Sequence, residues 1–208
     1  MTKLKLIAEL CGFLAADGSV FIRKEKTGKS HYEFRFYPDH ESVLKRFLYV
    51  FEQLYGVTPH AKNMGNYFYV QIQNKKACID LLKLAKFGSL SWSIPKIIKN
   101  DKKIVRFWLR AYFDCDGYVS KKYIQLQSVN EKGLKEISKL LTNWNIGTKI
   151  YRYERPNKNW NVNYLLNINK KQDRLKFLKT IGFNHKVKLN KLKSFYVLES
   201  PNQVGHQN

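Results

Sequence analysis

The chain is 208 residues long and carries 38 Lys+Arg against 16 Asp+Glu, a formal net charge of +22 spread along its length. That length buries a core without disulfide staples, and thirteen Tyr, thirteen Phe and four Trp exclude a disordered chain. The charge points to a polyanion, with nucleic acid ahead of an anionic membrane, since no apolar stretch reaches the ~20 residues of a spanning helix.

Taken in order, an apolar helix from Leu4 to Ala16 runs into Asp17-Gly18. It begins too early to leave room for a signal or transit peptide, so the protein is expected inside the cell, in the prokaryotic cytoplasm or in the organelle that encodes it. A strand from Ser19 to Lys24 and an alternating strand from His31 to Tyr37 follow. In the second, Tyr32, Phe34 and Phe36 mark the buried face, leaving His31, Glu33, Arg35 and Tyr37 available to a ligand. After Pro38-Asp39 comes an amphipathic helix, about Glu41 to Leu54, ending at Gly56-Val57. A second strand pair ends with Tyr67 to Gln73, and a helix from Lys75 to Lys86 closes on Phe87-Gly88.

The same order then repeats. A helix from Val105 to Cys115 runs into Asp116-Gly117, followed by strands from Tyr118 to Lys122 and Tyr123 to Gln127. After a polar break at Ser128 to Asn130 come a helix from Glu131 to Trp144, strands from Gly147 to Arg155 and Asn163 to Asn169, and a helix from Lys170 to Ile181 before Gly182-Phe183. Each half reads helix, two strands, helix, two strands, helix, which predicts an α+β fold with antiparallel sheets, helices on one face and the other face free. The expected division is 1–88, a linker over 89–103, a second half over 104–200 and a tail over 201–208. The three cysteines, Cys11, Cys78 and Cys115, form no C-x-x-C pair and are expected to be reduced and buried.

The opening helices carry the sharpest signal. Small residues at Ala8, Gly12, Ala15 and Ala16 in one and Ala111 and Cys115 in the other permit close packing, which would bring Asp17 and Asp116 to a shared end. Two carboxylates there would repel unless a divalent cation lay between them, and Mg²⁺ suits a pair of carboxylates with carbonyl and phosphate oxygens.

The segments Leu10-Cys11-Gly12-Phe13-Leu14-Ala15-Ala16-Asp17-Gly18 and Leu109-Arg110-Ala111-Tyr112-Phe113-Asp114-Cys115-Asp116-Gly117 resemble the two LAGLIDADG motifs of the single-chain homing endonucleases. The resemblance extends over essentially the whole chain, including Ile94-Pro95 before the second motif and the Lys188 region. It implies two pseudo-symmetric α-β-β-α-β-β-α halves, the motif helices at their interface, and sheets forming a saddle over double-stranded DNA. It implies a site-specific, Mg²⁺-dependent cut of both strands, with Mn²⁺ as a substitute, serving the homing of an intron or mobile element. By the same resemblance Asp17 with the Ala16 carbonyl and Asp116 with the Cys115 carbonyl are the metal ligands. Lys188, and Lys96 on the other side, are the candidates for the family's lysine beside each site. Ala15 stands where the second motif has Asp114, so the doubled acid is incomplete in the first half.

Base or backbone contacts are expected from Phe21, Arg23 and Arg35 in the first half and from Ser120, Lys122, Gln125 and Gln127 in the second. Lys149, Arg152 and Arg155 are assigned to general DNA contact, and the loop 157–161 to the DNA flank, with Trp160 either there or in the core. None of His31, His40, His60, His185 and His206 is assigned a catalytic role. A monomer is expected to hold both sites. The alternatives are an intron maturase that binds RNA on the same fold and a DNA-binding protein without cleavage. An intein is not expected, because the chain lacks a leading Cys or Ser and a closing His-Asn pair.

Overall fold

The computed structural model describes residues 1–154 and 161–197. The element order is α1 (Lys3–Ala16), β1 (Gly18–Lys24), β2 (Ser30–Phe36), α2 (Glu41–Tyr55), β3 (Ala61–Asn63), β4 (Phe68–Gln73), α3 (Lys75–Leu84), α4 (Lys96–Lys99), α5 (Lys102–Asp116), β5 (Tyr118–Val119), β6 (Ile124–Ser128), α6 (Glu131–Leu141), β7 (Lys149–Tyr153), β8 (Asn163–Ile168), α7 (Lys171–Thr180) and α8 (Lys186–Val197). Among the described residues two four-stranded sheets have the same topology, β1-β2-β4-β3 and β5-β6-β8-β7, and every pairing is antiparallel. The α+β duplication expected from the sequence is therefore present.

The core of the first half is aromatic because β2 and α2 present phenylalanine to each other. Phe36 stacks on Phe47 with centroids 4.3 Å apart, and Phe13 of α1 meets both. In the second half Trp92, Trp108 and Tyr112 form a continuous stack, with Trp92–Tyr112 centroids at 4.8 Å. Trp92 also ties the connecting segment to the second sheet, its indole N–H donating to Ser128 Oγ at 3.2 Å. Cys11, Cys78 and Cys115 are buried and free.

The helices α1 and α5 pack directly on each other. A Cβ at Gly12 would overlap the Trp108 carbonyl oxygen and lie 2.9 Å from the Ala111 methyl. Only glycine permits an approach that close. The Asp-Gly pairs end the helices for a related reason: the strand turns back over the last helical turn. A Cβ at Gly18 would come within 2.7 Å of Leu14 Cα, and one at Gly117 would overlap the Phe113 carbonyl oxygen.

Three features differ from the sequence expectation. The strand expected from Tyr118 to Lys122 stops at Val119, because Ser120 organises a turn: its hydroxyl accepts the N–H of Lys122 and of Tyr123 and donates to the Tyr123 carbonyl. The segment between the halves contains α4, and α5 begins at Lys102. After Gly182-Phe183 the chain forms a further helix, α8. Arg155, Trp160, most of the loop 157–161, His206 and the tail lie outside the described residues.

Candidate metal centre and nucleic-acid interface

Asp17 is the residue that ends α1, its N–H bonded to the Phe13 carbonyl, and Asp116 is the last residue of α5. Because the helices cross at Gly12 and Ala111, their ends meet. Asp116, Tyr112, Ala15, Ala16 and Gly18 line one cavity of about 230 Å³ together with Trp92 and Gln127. Burial and then the charge of Asp39 push the Asp17 carboxyl up to about 6, against the opposing pull of Lys188 and a hydrogen bond from Cys115. Burial and then the charge of Asp17 push Asp116 up to about 7, against a hydrogen bond from Tyr112 and the charge of Lys188. Two acids that resist ionising side by side form a site that a cation would relieve.

Lys188 reaches this pair from α8. Its ammonium donates to the carbonyl oxygens of Asp114 and Cys115, each at 2.6 Å. Lys96 is exposed on α4, and no interaction joins it to either aspartate among the described residues. Ala16 lines the cavity, whereas the Cys115 carbonyl already accepts from Lys188 and keeps one lone pair for another partner.

Around Asp17 the structure gathers residues that no pattern in the sequence places there. Asp39 follows β2, whose end is tied to Asp17 by the Tyr37 N–H donating to the Asp17 carbonyl at 3.0 Å. His185, buried at 4% exposure, lies with Nε2 3.5 Å from Asp39 Oδ1 and its ring centroid 4.5 Å from that of His40. Burial opposes ionisation of Asp39, but the hydrogen bond from His185 and the charge of Lys188 hold its carboxyl below the ordinary value. Asp114 is fully buried, its Oδ1 accepting the N–H of Asn184 and His185. Burial pushes it up to about 7 against those bonds. Only Asp114, as half of a doubled acid, left a trace in sequence.

Strand register sorts the expected contact residues by face, since directly opposed residues share a side. In the first sheet Val20, Phe34, Phe36, Val70 and Ile72 face the helices. Phe21, Arg23, Arg35, Tyr69, Gln71 and Lys62 share the other face. Glu33 is also there but is not open to a ligand as the alternation suggested. It is 5% exposed, and its carboxylate accepts from Arg35 Nε and, at 3.0 Å, from Gln71 Nε2. Arg35 in turn lies over the Phe21 ring, 5.1 Å from its centroid. In the second sheet Gln125, Gln127, Lys149, Tyr118, Tyr151 and Tyr153 share the outer face, and Gln125 donates to Asn167 Oδ1 at 2.8 Å. Arg152 alternates to the helix side and pairs with Glu154 at 2.9 Å. Ser120 and Lys122 sit in the turn between β5 and β6, where the Lys122 carbonyl is held by Arg174.

Residues 103–182 match the family model of the LAGLIDADG-like domain. Most of the chain superposes on homing endonuclease I-DmoI: a mesophilic variant gives a TM-score of 0.69 at 18% identity, covering 86% of this chain and 96% of that one. The family match thus lies in the second half, and the likeness of fold extends over both halves. The I-DmoI complex with DNA and Mn gives a TM-score of 0.66 at 17% identity, covering 87% of this chain and 98% of that one. Full-length DUF199/WhiA from Thermatoga maritima gives 0.61 at 17%, covering 96% and 62%. At these identities the likeness is one of fold. Among curated proteins, the replication factor C small subunit of Methanocaldococcus jannaschii is 30% identical over 202 residues, 94% of this chain and 10% of that protein. The DNA polymerase of Thermococcus kodakarensis is 29% identical over 196 residues, 86% of this chain and 11% of that protein. The chain thus spans about a tenth of the length of these relatives.

The donor set that Asp17 and Asp116 offer with the neighbouring backbone is hard: two carboxylates and carbonyl oxygens. Among the described residues no three His, Cys, Asp or Glu are arranged to enclose a metal ion. The pair therefore fits a small divalent cation that completes its coordination with phosphate and water, and not a closed protein cage. Among the described residues no helix is long and apolar enough to cross a membrane.

Proposed function

We propose that this chain is a site-specific endonuclease that binds a long stretch of double-stranded DNA as a monomer and cuts both strands, with Mg²⁺ or in its place Mn²⁺. A double-strand break at one long site would promote the homing of an intron or mobile element. The observation that carries this reading is the meeting of Asp17 and Asp116 at the ends of two closely packed helices, each leading directly into the first strand of a sheet with a polar, aromatic outer face. Supporting it, the chain has the fold of an endonuclease whose structure with DNA and Mn is known.

Each half would lay its outer sheet face on DNA. Lys62, Arg23 and Lys149 would neutralise phosphates, while Arg35, Gln71, Gln125 and Gln127 would meet base edges. Asp17 and Asp116, with the Ala16 and Cys115 carbonyls, would hold the cation, one carboxylate serving each strand. A bound divalent cation would supply Lewis acidity at the scissile phosphate. Lys188 would place a fixed positive charge beside the phosphate as negative charge builds up, and Tyr112 would orient the Asp116 carboxylate through its hydrogen bond.

The test is cleavage of a plasmid library carrying randomised sites, with Mg²⁺, by the wild-type chain and by Asp17→Asn and Asp116→Asn. One long site cut on both strands, with double-strand cleavage lost in each variant, is the expected result. Tight, saturable DNA binding with no cleavage in Mg²⁺ or Mn²⁺ would replace this reading with that of a non-cleaving DNA-binding protein, and preferential binding of intron RNA with that of a maturase.

A further inference from the structure

The two halves diverge after their last glycine-containing turn. In the second, α8 begins at Lys186, and the residues just before it carry N–H groups that have no partner within the helix. Asp114, on α5 and 70 residues before Asn184, satisfies two of them: its Oδ1 accepts from Asn184 N at 2.8 Å and from His185 N at 2.9 Å. The carboxylate also lies where the positive end of the helix dipole favours an acid. Lys188 then stands one turn into α8 and reaches back to the Asp114 and Cys115 carbonyls. The contacts close a loop: α5 seats the start of α8 through a side chain, and α8 returns an ammonium to the end of α5.

The first half has none of this. Ala15 occupies the position that matches Asp114, and Gly88 is followed by a tight turn in which Ser91 N and Trp92 N both bond the Gly88 carbonyl. The buried acid and the buried-site lysine thus occur together in one half and are both missing from the other.

We propose that Asp114 is a positioning residue for DNA cleavage: by seating the first turn of α8 it fixes the Lys188 ammonium against the ends of the motif helices. The proposal rests on the endonuclease reading above. A lysine has a flexible four-carbon stem and a freely rotating head, so its placement depends on where its backbone is held. Asp114 itself faces backbone amides and touches no substrate. A displacement of about 1 Å at a charge that must meet a phosphate costs roughly a hundredfold in rate, which sets the size of the effect at stake.

The experiment measures single-turnover cleavage and DNA affinity for the full chain on its selected site, in the wild type, Asp114→Asn, Asp114→Ala, Lys188→Met and the Asp114→Ala/Lys188→Met double variant. Asp114→Ala is expected to slow cleavage at least about tenfold while DNA affinity changes by less than about threefold. Asp114→Asn keeps an acceptor for the two N–H groups and is expected to restore most of the rate. In the Lys188→Met background Asp114→Ala is expected to add no further loss, since both changes remove the same placed charge. Should Asp114→Ala not fold, the cycle is run with Asp114→Ser. Losses that multiply in the double variant, or wild-type rates in a folded Asp114→Ala chain, would overturn the positioning role and leave the nuclease intact. No cleavage by the wild type would overturn both.

Discussion

Lys188 Nζ lies 2.6 Å from the carbonyl oxygen of Cys115, the residue immediately before Asp116. The carbonyls at a helix C-terminus have no intrahelical partner and carry the negative end of the macrodipole, so an ammonium there satisfies both needs at once. The same place collects Asp17 and Asp116, and Lys188 is a charge that favours ionisation of each.

Lys188→Met is therefore expected to reduce single-turnover cleavage by on the order of 10²–10³, the range of a single well-placed electrostatic contact. DNA affinity should fall little, because a chain with a net charge of +22 offers many other cationic side chains to phosphates. Lys188→Arg should recover only part of the rate, since a planar fork does not replace a compact ammonium. Parallel filter-binding and single-turnover assays check both statements; an equal loss in affinity and rate would show Lys188 to be an ordinary phosphate contact.

Metal-free stability should depend on pH in a direction set by the aspartates. Asp17 and Asp116 have folded-state values of about 6 and about 7, above their ordinary range. A carboxyl raised on folding favours the folded state most when protonated, so this contribution is fully present below the unfolded value near ~4 and is lost as pH rises through the folded values. In EDTA the Tm is expected to fall between pH 5 and pH 8. Asp116→Asn, which removes one of the two repelling charges, should raise the pH 8 value by a few degrees, about 2–4 °C. Adding Mg²⁺ at pH 8 should raise the wild-type Tm and leave the variant nearly unchanged. Calorimetry of both chains with and without Mg²⁺ checks the sign, and a wild-type Tm that rises from pH 5 to pH 8 in EDTA would contradict it.

The close crossing of α1 and α5 makes a sharper demand on Gly12 than on any apolar residue nearby. Gly12→Ala already puts a methyl into the Trp108 carbonyl, and Gly12→Val adds two more carbons. Overpacking of this kind costs about 1–3 kcal/mol, and more where backbone must move. Because the displaced backbone carries Asp17 five residues later, the Gly12→Val chain should lose cleavage even under conditions where urea titration shows it fully folded. Full activity in the folded variant would mean that the aspartates tolerate a wider helix spacing.

How much of the site is legible in the sequence depends on the range of the interactions. The Asp17 and Asp116 positions are legible because helix, Asp-Gly and strand are contiguous, and duplication makes the pattern visible twice. Simple alternation places Arg35 and Phe21 on the sheet face turned away from the helices, where the register also puts them. Alternation cannot reveal that Glu33 is enclosed by Arg35 and Gln71, because Gln71 arrives from a strand beyond an intervening helix. The cluster of Asp39, His40 and His185 is hidden for the same reason: its members come from opposite ends of the chain. The helix α8 leaves little trace because Lys186 to Val197 shows no clear apolar stripe, and its start is fixed by a carboxylate on α5. Charge alone suggests Arg152 for DNA contact and says nothing of its face, which the register shows to be the helix side.

The position of Arg152 has a consequence for salt dependence. Lys149 and Arg152 lie on the same strand, yet the pairing of Lys149 with Asn167 and of Arg152 with Tyr164 puts them on opposite faces of the second sheet. Arg152 also has an anionic partner in Glu154. If DNA lies along the outer faces, Lys149 releases a counterion on binding and Arg152 does not. Lys149→Ala should reduce the slope of log K against log salt by about 0.9, the value for one phosphate contact on duplex DNA. Arg152→Ala should leave that slope unchanged, and Gln125→Ala should relax the preference at one base pair without altering the slope. Fluorescence anisotropy over a range of KCl concentrations measures all three. A slope that drops for Arg152→Ala and not for Lys149→Ala would place the DNA on the helix side of this sheet, and with it would fall the assignment of the outer face as the binding surface.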